Sequence, residues 1–185
     1  MQVDRAQLWA LSYYRASELT GALLMGRLAR KVTDPMLMAY FTEQCAEEAR
    51  HAWLWTETIL SLGGTPLQLR ETHQSMYIRL TGYPTTLLDI LACTKVFEER
   101  VHQYFTEEAK KPEMHPVIRQ AIETILRDEV NHIAGVDRLL AHVAVGDDRR
   151  LVDERIRHYR EIDEQAYQFV VDYRERPWEL LHAEQ

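Results

Sequence analysis

Residues 41–55 read FTEQCAEEARHAWLW and residues 122–136 read IETILRDEVNHIAGV, and the two stretches share one spacing: Glu48-x-x-His51 and Glu129-x-x-His132. On a helix, side chains at i and i+3 project from neighbouring turns of one face, so a carboxylate and an imidazole so spaced can reach one metal ion. One such pair is weak evidence, because Glu and His are common on solvated helix faces. Here each pair interrupts an apolar stripe: Phe41, Glu48, His51 and Trp55 in one, and Ile118, Ile122, Ile125, Glu129, His132, Val136 and Leu139 in the other. The ionisable residues stand where core residues are expected.

The few glycines and prolines are grouped, so the chain divides into long helices separated by defined breaks. A first helix is expected from about Asp4 to Lys31, and Asp34-Pro35 supplies an N-cap and first position for a second that ends at Gly63-Gly64. Apolar residues recur at helical spacing after Tyr83-Pro84 to about Lys111, and after His115-Pro116 to about Gly146. A fifth pattern, Val152, Ile156, Tyr159, Ile162, Ala166, Phe169, Val170 and Tyr173, carries one apolar stripe, stops before Pro177, and is expected to pack on the outside. Nothing alternates with period two between turn residues, so the fold class is all-α. Short links within the first and second helix pairs predict antiparallel hairpins, and the stretch 65–83 is long enough to cross between them. The expected division is a four-helix unit over 1–146 and a C-terminal helix with its tail over 147–185.

The other two long helices each hold one carboxylate inside the apolar stripe. These are Glu18 among Leu11, Tyr14, Gly21 and Met25, and Glu98 among Leu87, Leu91, Thr94, Val101 and Phe105. Counted from N-caps at Asp4, Asp34, Tyr83 and His115, the four glutamates lie fourteen or fifteen residues in, which puts them in one layer. An unpaired buried carboxylate costs several kcal/mol, roughly, so four in one layer need a cation. Two divalent ions balance four carboxylates and two neutral imidazoles. That oxygen and nitrogen donor set suits iron or manganese better than a structural zinc knot.

The set resembles the ferritin-like di-iron carboxylate superfamily, in which two helices give a Glu each and two give Glu-x-x-His each. The resemblance spans about residues 4–146 and implies a ferritin-like four-helix bundle binding two iron ions, with manganese or a mixed Mn/Fe pair as alternatives. Glu18 and Glu98 then match the single carboxylates, Glu48/His51 and Glu129/His132 the paired ligands. Arg50 and Asp128 resemble residues that bond across the bundle behind such motifs. Rubrerythrins carry a further ligand carboxylate one turn from the third-helix glutamate. Here Lys95 and Val101 occupy the neighbouring turns and no rubredoxin-like cysteine set follows, so the pattern is closer to small di-iron oxygenases.

The expected activity is therefore oxidation of a small organic substrate by dioxygen. Without a Gly-rich dinucleotide fingerprint or an iron–sulfur cysteine pattern, electrons would come from an external reductase or ferredoxin. Alternatives are a ferroxidase, iron-handling or peroxide-scavenging protein, for which cage assembly rather than a monomer or homodimer would speak, and a metal-free helical interaction module. A formal charge of −7 on 185 residues disfavours nucleic acid and anionic membranes as partners. No leader or bilayer-spanning apolar run is seen, and Cys45 and Cys93 lack C-x-x-C spacing, so a reducing cytoplasm is the expected compartment.

Several other residues read in two ways. Glu99 and His102 form a third Glu-x-x-His, but sit about 100° round the helix from Glu98 and read as a solvated or pocket-edge face. Tyr14 and Cys45, one turn before Glu18 and Glu48, read first as amphipathic core and as a small buried hydrophobe. Trp9, Trp53 and Trp55 read first as packing. Gly21, Ala22, Thr94 and Gly135 are small residues near ligand depth that could open a cavity.

Overall fold

The computed structural model describes residues 3–69, 72–144 and 148–175, and among them the regular structure is entirely helical. Six helices follow in order: α1 (Arg5–Ala29), α2 (Pro35–Ser61), α3 (His73–Thr81), α4 (Leu87–Ala109), α5 (Pro116–Val143) and α6 (Asp148–Glu175). None is long and apolar enough to cross a membrane.

Short polar side chains start the helices. Asp4 accepts from the Gln7 amide, and Asp34 accepts from Met36 and Leu37 with Pro35 at the first position. His115 caps α5 ahead of Pro116, satisfying one of the amides that a helix start leaves without a partner. Gly63, at φ 74°, lets the chain leave α2 through a conformation that a side chain would strain. The α4–α5 corner is closed by Arg119, whose guanidinium donates to the carbonyls of Ala109 and Lys111.

Two differences from the sequence expectation concern the crossover. Residues 73–81 form the helix α3, started by a reciprocal cap in which Thr72 and Ser75 bond each other's backbone. In addition, α4 begins at Leu87 behind Thr86, not at Tyr83-Pro84, because Thr86 accepts from the Asp89 amide. Glu98 is therefore twelve residues from its cap, where Glu18, Glu48 and Glu129 are each fourteen. Packing, not residue counting, brings it level.

Helix α1 packs along α2, α4 along α5, and α2 against α5, while α6 lies on α3 and α4. One apolar layer gathers Met25, Leu37, Tyr40, Phe41, Leu91, Val136 and Leu139. A second gathers Leu11, Trp55, Ile59, Phe105, Ile118, Ile122 and Ile125. Each large side chain so buried contributes about 1.5–3 kcal/mol, which offsets the cost of a polar layer between them. On the outer side Tyr159, Ile162 and Ala166 of α6 pack on Tyr77, Ala92, Cys93 and Val96, as the stripe predicts. The Phe169, Val170 and Tyr173 side chains and Pro177 lie outside the described residues.

Candidate metal centre

Glu18 of α1, Glu48 and His51 of α2, Glu98 of α4, and Glu129 and His132 of α5 are all buried, between 0 and 8% exposed. They converge. His132 Nδ1 lies 3.5 Å from both Glu98 Oε2 and Glu129 Oε2 and 3.8 Å from Glu48 Oε1. His51 Nδ1 lies 3.8 Å from Glu18 Oε2, and the two imidazole rings are 5.8 Å apart. Two three-residue groups place their donor atoms within 4.8 Å of one another: Glu18, Glu48 and His51, and Glu48, Glu98 and His132. Glu48 belongs to both, and Glu129 adjoins the second through His132.

Both imidazoles are fixed from behind. His51 Nε2 lies 3.1 Å from Asp128 Oδ2 on α5, and His132 Nε2 lies 2.8 Å from Glu47 Oε2 on α2. The acid preceding each motif's glutamate thus holds the other motif's histidine. Arg50 ties the two acids together, 3.0 Å from Asp128 and 3.4 Å from Glu47. With Nε2 engaged by a carboxylate, each ring turns its Nδ1 toward the centre, the nitrogen that a metal ion would take in place of a proton. Trp55 Nε1 donates to Glu18 Oε1 at 3.3 Å and holds that carboxylate too.

The electrostatics are those of an anionic cavity. Burial, reinforced by Glu18, Glu98 and Glu129, raises the Glu48 carboxyl well above its ordinary range. Burial and then Glu98 do the same to Glu129, and burial raises Glu18 against the pull of His51. Burial would also raise Glu98, but His132 overrides it and the net shift is downward. For His132, burial pushes down and the Glu129 and Glu98 carboxylates win, holding it at about 12. Left to itself the cluster keeps protons to limit its own repulsion, and a divalent cation can take their place.

Three observations fit a metal here. His51 Nδ1, His132 Nδ1 and Glu129 Oε2 are buried and make no hydrogen bond. The donors are oxygen and nitrogen only, and these buried clusters could hold a metal ion. The backbone also makes room for Glu48: a Cβ at Gly21 would stand 2.6 Å from Glu48 Oε2, so a glycine on α1 accommodates the carboxylate shared by both groups.

The remaining candidates separate. The Tyr14 hydroxyl meets that of Tyr104 at 2.6 Å while its ring packs on Trp55 and Phe105. Cys45 packs at the edge of the apolar layer near Gly26. Glu99 pairs with Lys95 and Arg160 on the outer face. Trp9 stacks on Tyr13, and Trp53 is exposed. Gly21 and Thr94 line a cavity of about 330 Å³ that reaches Glu18, Glu48, Glu98 and Glu129. Ala22 is buried core, and Gly135 makes way for the Tyr40 ring instead.

Sequence reasoning missed Glu47 and Trp55 as supports of the centre. Glu47 had a signal, since an acid precedes the ligand glutamate in both motifs; Trp55 had none beyond lying one turn after His51. The chain matches no protein-family model, no curated protein and no solved structure.

Proposed function

We propose that the chain is a di-iron oxidoreductase of ferritin-like architecture that uses dioxygen to hydroxylate a small organic substrate, with electrons from an external donor. The observation that carries this reading is Glu48, one of six buried donor residues from four helices and the carboxylate common to two adjoining Glu/His groups. A structural ion needs one closed shell. Two adjoining groups beside a cavity suit chemistry between two ions.

A bound iron pair supplies two-electron reduction of dioxygen, one oxygen atom entering a C–H bond and the other leaving as water, with two electrons and two protons from the donor. The protein's part follows from its residues. The carboxylates Glu18, Glu48, Glu98 and Glu129 face the cavity, whereas His51 and His132 sit behind them, so substrate approaches from the carboxylate side. Asp128, Glu47 and Trp55 fix ligand orientation. The cavity's apolar walls limit water around the reacting atoms.

Iron storage is the competing use of such a centre, but a largely apolar cavity has no role in passing hydrated ions. The test is anaerobic loading with ferrous iron followed by dioxygen. The reading expects two irons per chain and rapid dioxygen consumption that an apolar substrate couples to product. A chain that binds no iron, or that stores many ferric ions per chain, contradicts it.

A further inference from the structure

The cavity beside the centre is a groove with one open end. It runs along the seam between α1 and α4, where the hydroxyls of Tyr14 and Tyr104 meet at 2.6 Å, and α3 forms part of its wall. Nearly every residue lining it is buried or half-buried. The exposed ones, Arg27, Lys31, Gly82 and Tyr83, all lie at the end where α1 finishes and α3 turns into α4. That end is the mouth. From the mouth to Trp9 and Tyr13 at the inner end the walls are mainly aliphatic and aromatic, with Ser17, Gln74, Thr94 and Arg100 among the polar side chains between them.

Charge and length narrow what fits. Arg27 and Lys31 make no ion pair among the described residues, and the acids lining the groove are the four glutamates of the centre. An anionic head at the mouth therefore meets two available cations and no opposing carboxylate. Arg27 is nine residues after Glu18 on α1, and Trp9 nine before it. At 1.5 Å per residue the centre lies about 13 Å from either end. An extended apolar chain anchored at the mouth passes the centre at its middle, not at its tip. At that depth Ser17 Oγ and Gln74 Oε1 are buried in the wall without a hydrogen-bond partner. A hydroxyl on the chain there can accept from the first and donate to the second.

We infer that the substrate is a fatty carboxylate or similar single-chain anionic amphiphile, held by its head at Arg27 and Lys31 and presented to the centre at an internal methylene. This rests on the oxygenase reading above and adds the substrate class and the position attacked.

The test uses the full-length chain and dodecanoate below its micelle-forming concentration, with dodecyltrimethylammonium as the head-group control. Calorimetry is expected to show saturable binding of one dodecanoate, tighter than the cationic control by at least about tenfold. Charge reversal at the exposed mouth, Arg27→Glu with Lys31→Glu, is expected to remove that preference while leaving metal content unchanged. With manganese(II) in the centre, proton relaxation of the bound chain should be enhanced most at internal methylenes. Equal affinity for the two head groups, indifference to the charge reversal, or strongest relaxation beside the carboxylate overturns the inference. Two ions bound without dodecanoate binding sink this proposal alone. Dodecanoate binding to a chain that takes up no metal sinks the oxygenase reading and leaves the amphiphile site standing.

Discussion

Glu47 on α2 holds His132 on α5: its Oε2 lies 2.8 Å from the imidazole Nε2, the tightest contact either histidine makes across the helix pair. Asp128 returns the arrangement to His51. The two helices are thus braced by the groups that orient their own ligands. Replacing the carboxylate by an amide of the same shape removes its charge and one of its acceptor oxygens, which weakens the hold on ring orientation and tautomer. Glu47→Gln and Asp128→Asn should each weaken metal binding by about 10–100-fold with little effect on the metal-free fold. Competition against a chelator of known affinity, with melting of the metal-free proteins alongside, checks this.

Gly21 should separate metal binding from helix stability. Alanine is the better helix former by about 1 kcal/mol, so the metal-free Gly21→Ala protein should melt no lower than the parent. Its Cβ would stand 2.6 Å from Glu48 Oε2, however, and the carboxylate must move. Metal occupancy should fall, and the melting increment that metal gives should shrink. A Gly21→Ala protein that keeps full occupancy would show that the close approach is immaterial.

How much of this was legible in sequence depended on what a side chain's neighbours along its own helix reveal. The six donors stood out because each interrupts an apolar stripe, and the all-helical class followed from the same periodicity. Glu47 sits off the stripe, and its partner is on another helix, so its role needed the register of α2 against α5. Helix α3 is only nine residues long, too few turns to set a helical period apart from the crossover around it. The start of α4 was misplaced because Tyr83-Pro84 is a strong break signal, yet the Thr86 cap wins. The groove is the least legible feature, since it depends on how closely side chains of α1, α3 and α4 approach one another in space.

A separate polar cluster ties α3 and α4 to α6. Asp163 takes Arg100 Nε at 2.6 Å and lies 3.3 Å from His73 Nε2, under the Tyr77 ring that packs on His73. Burial, and then the Arg100 charge, depresses His73 to about 4 from its ordinary 6.5. A histidine whose folded value is depressed binds fewer protons folded than unfolded, so its contribution is lost as pH falls from 6.5 toward 4. Between about pH 7 and pH 5 it should cost about 2 kcal/mol. Urea unfolding of the parent and His73→Gln proteins at both pH values should show the variant losing less, by about that amount; parallel losses would contradict the assignment.

Metal should stabilise the fold strongly, because the unfolded chain has no assembled site. At a thousandfold excess over the dissociation constant, one site adds about 4 kcal/mol. Chelation should therefore lower the melting temperature, and no such shift is expected for a double Glu48→Ala, Glu129→Ala protein.

Glu48 is common to two adjoining buried Glu/His groups that could each hold a metal ion, and Glu129 adjoins the second through His132. The decisive experiment is anaerobic titration with ferrous iron, read by elemental analysis of the protein and of its Glu48→Ala variant. Two ions per chain in the parent and loss of tight binding at both positions in the variant are expected. A parent that binds no iron, or a variant that still holds two ions as tightly, would contradict a two-ion centre sharing Glu48.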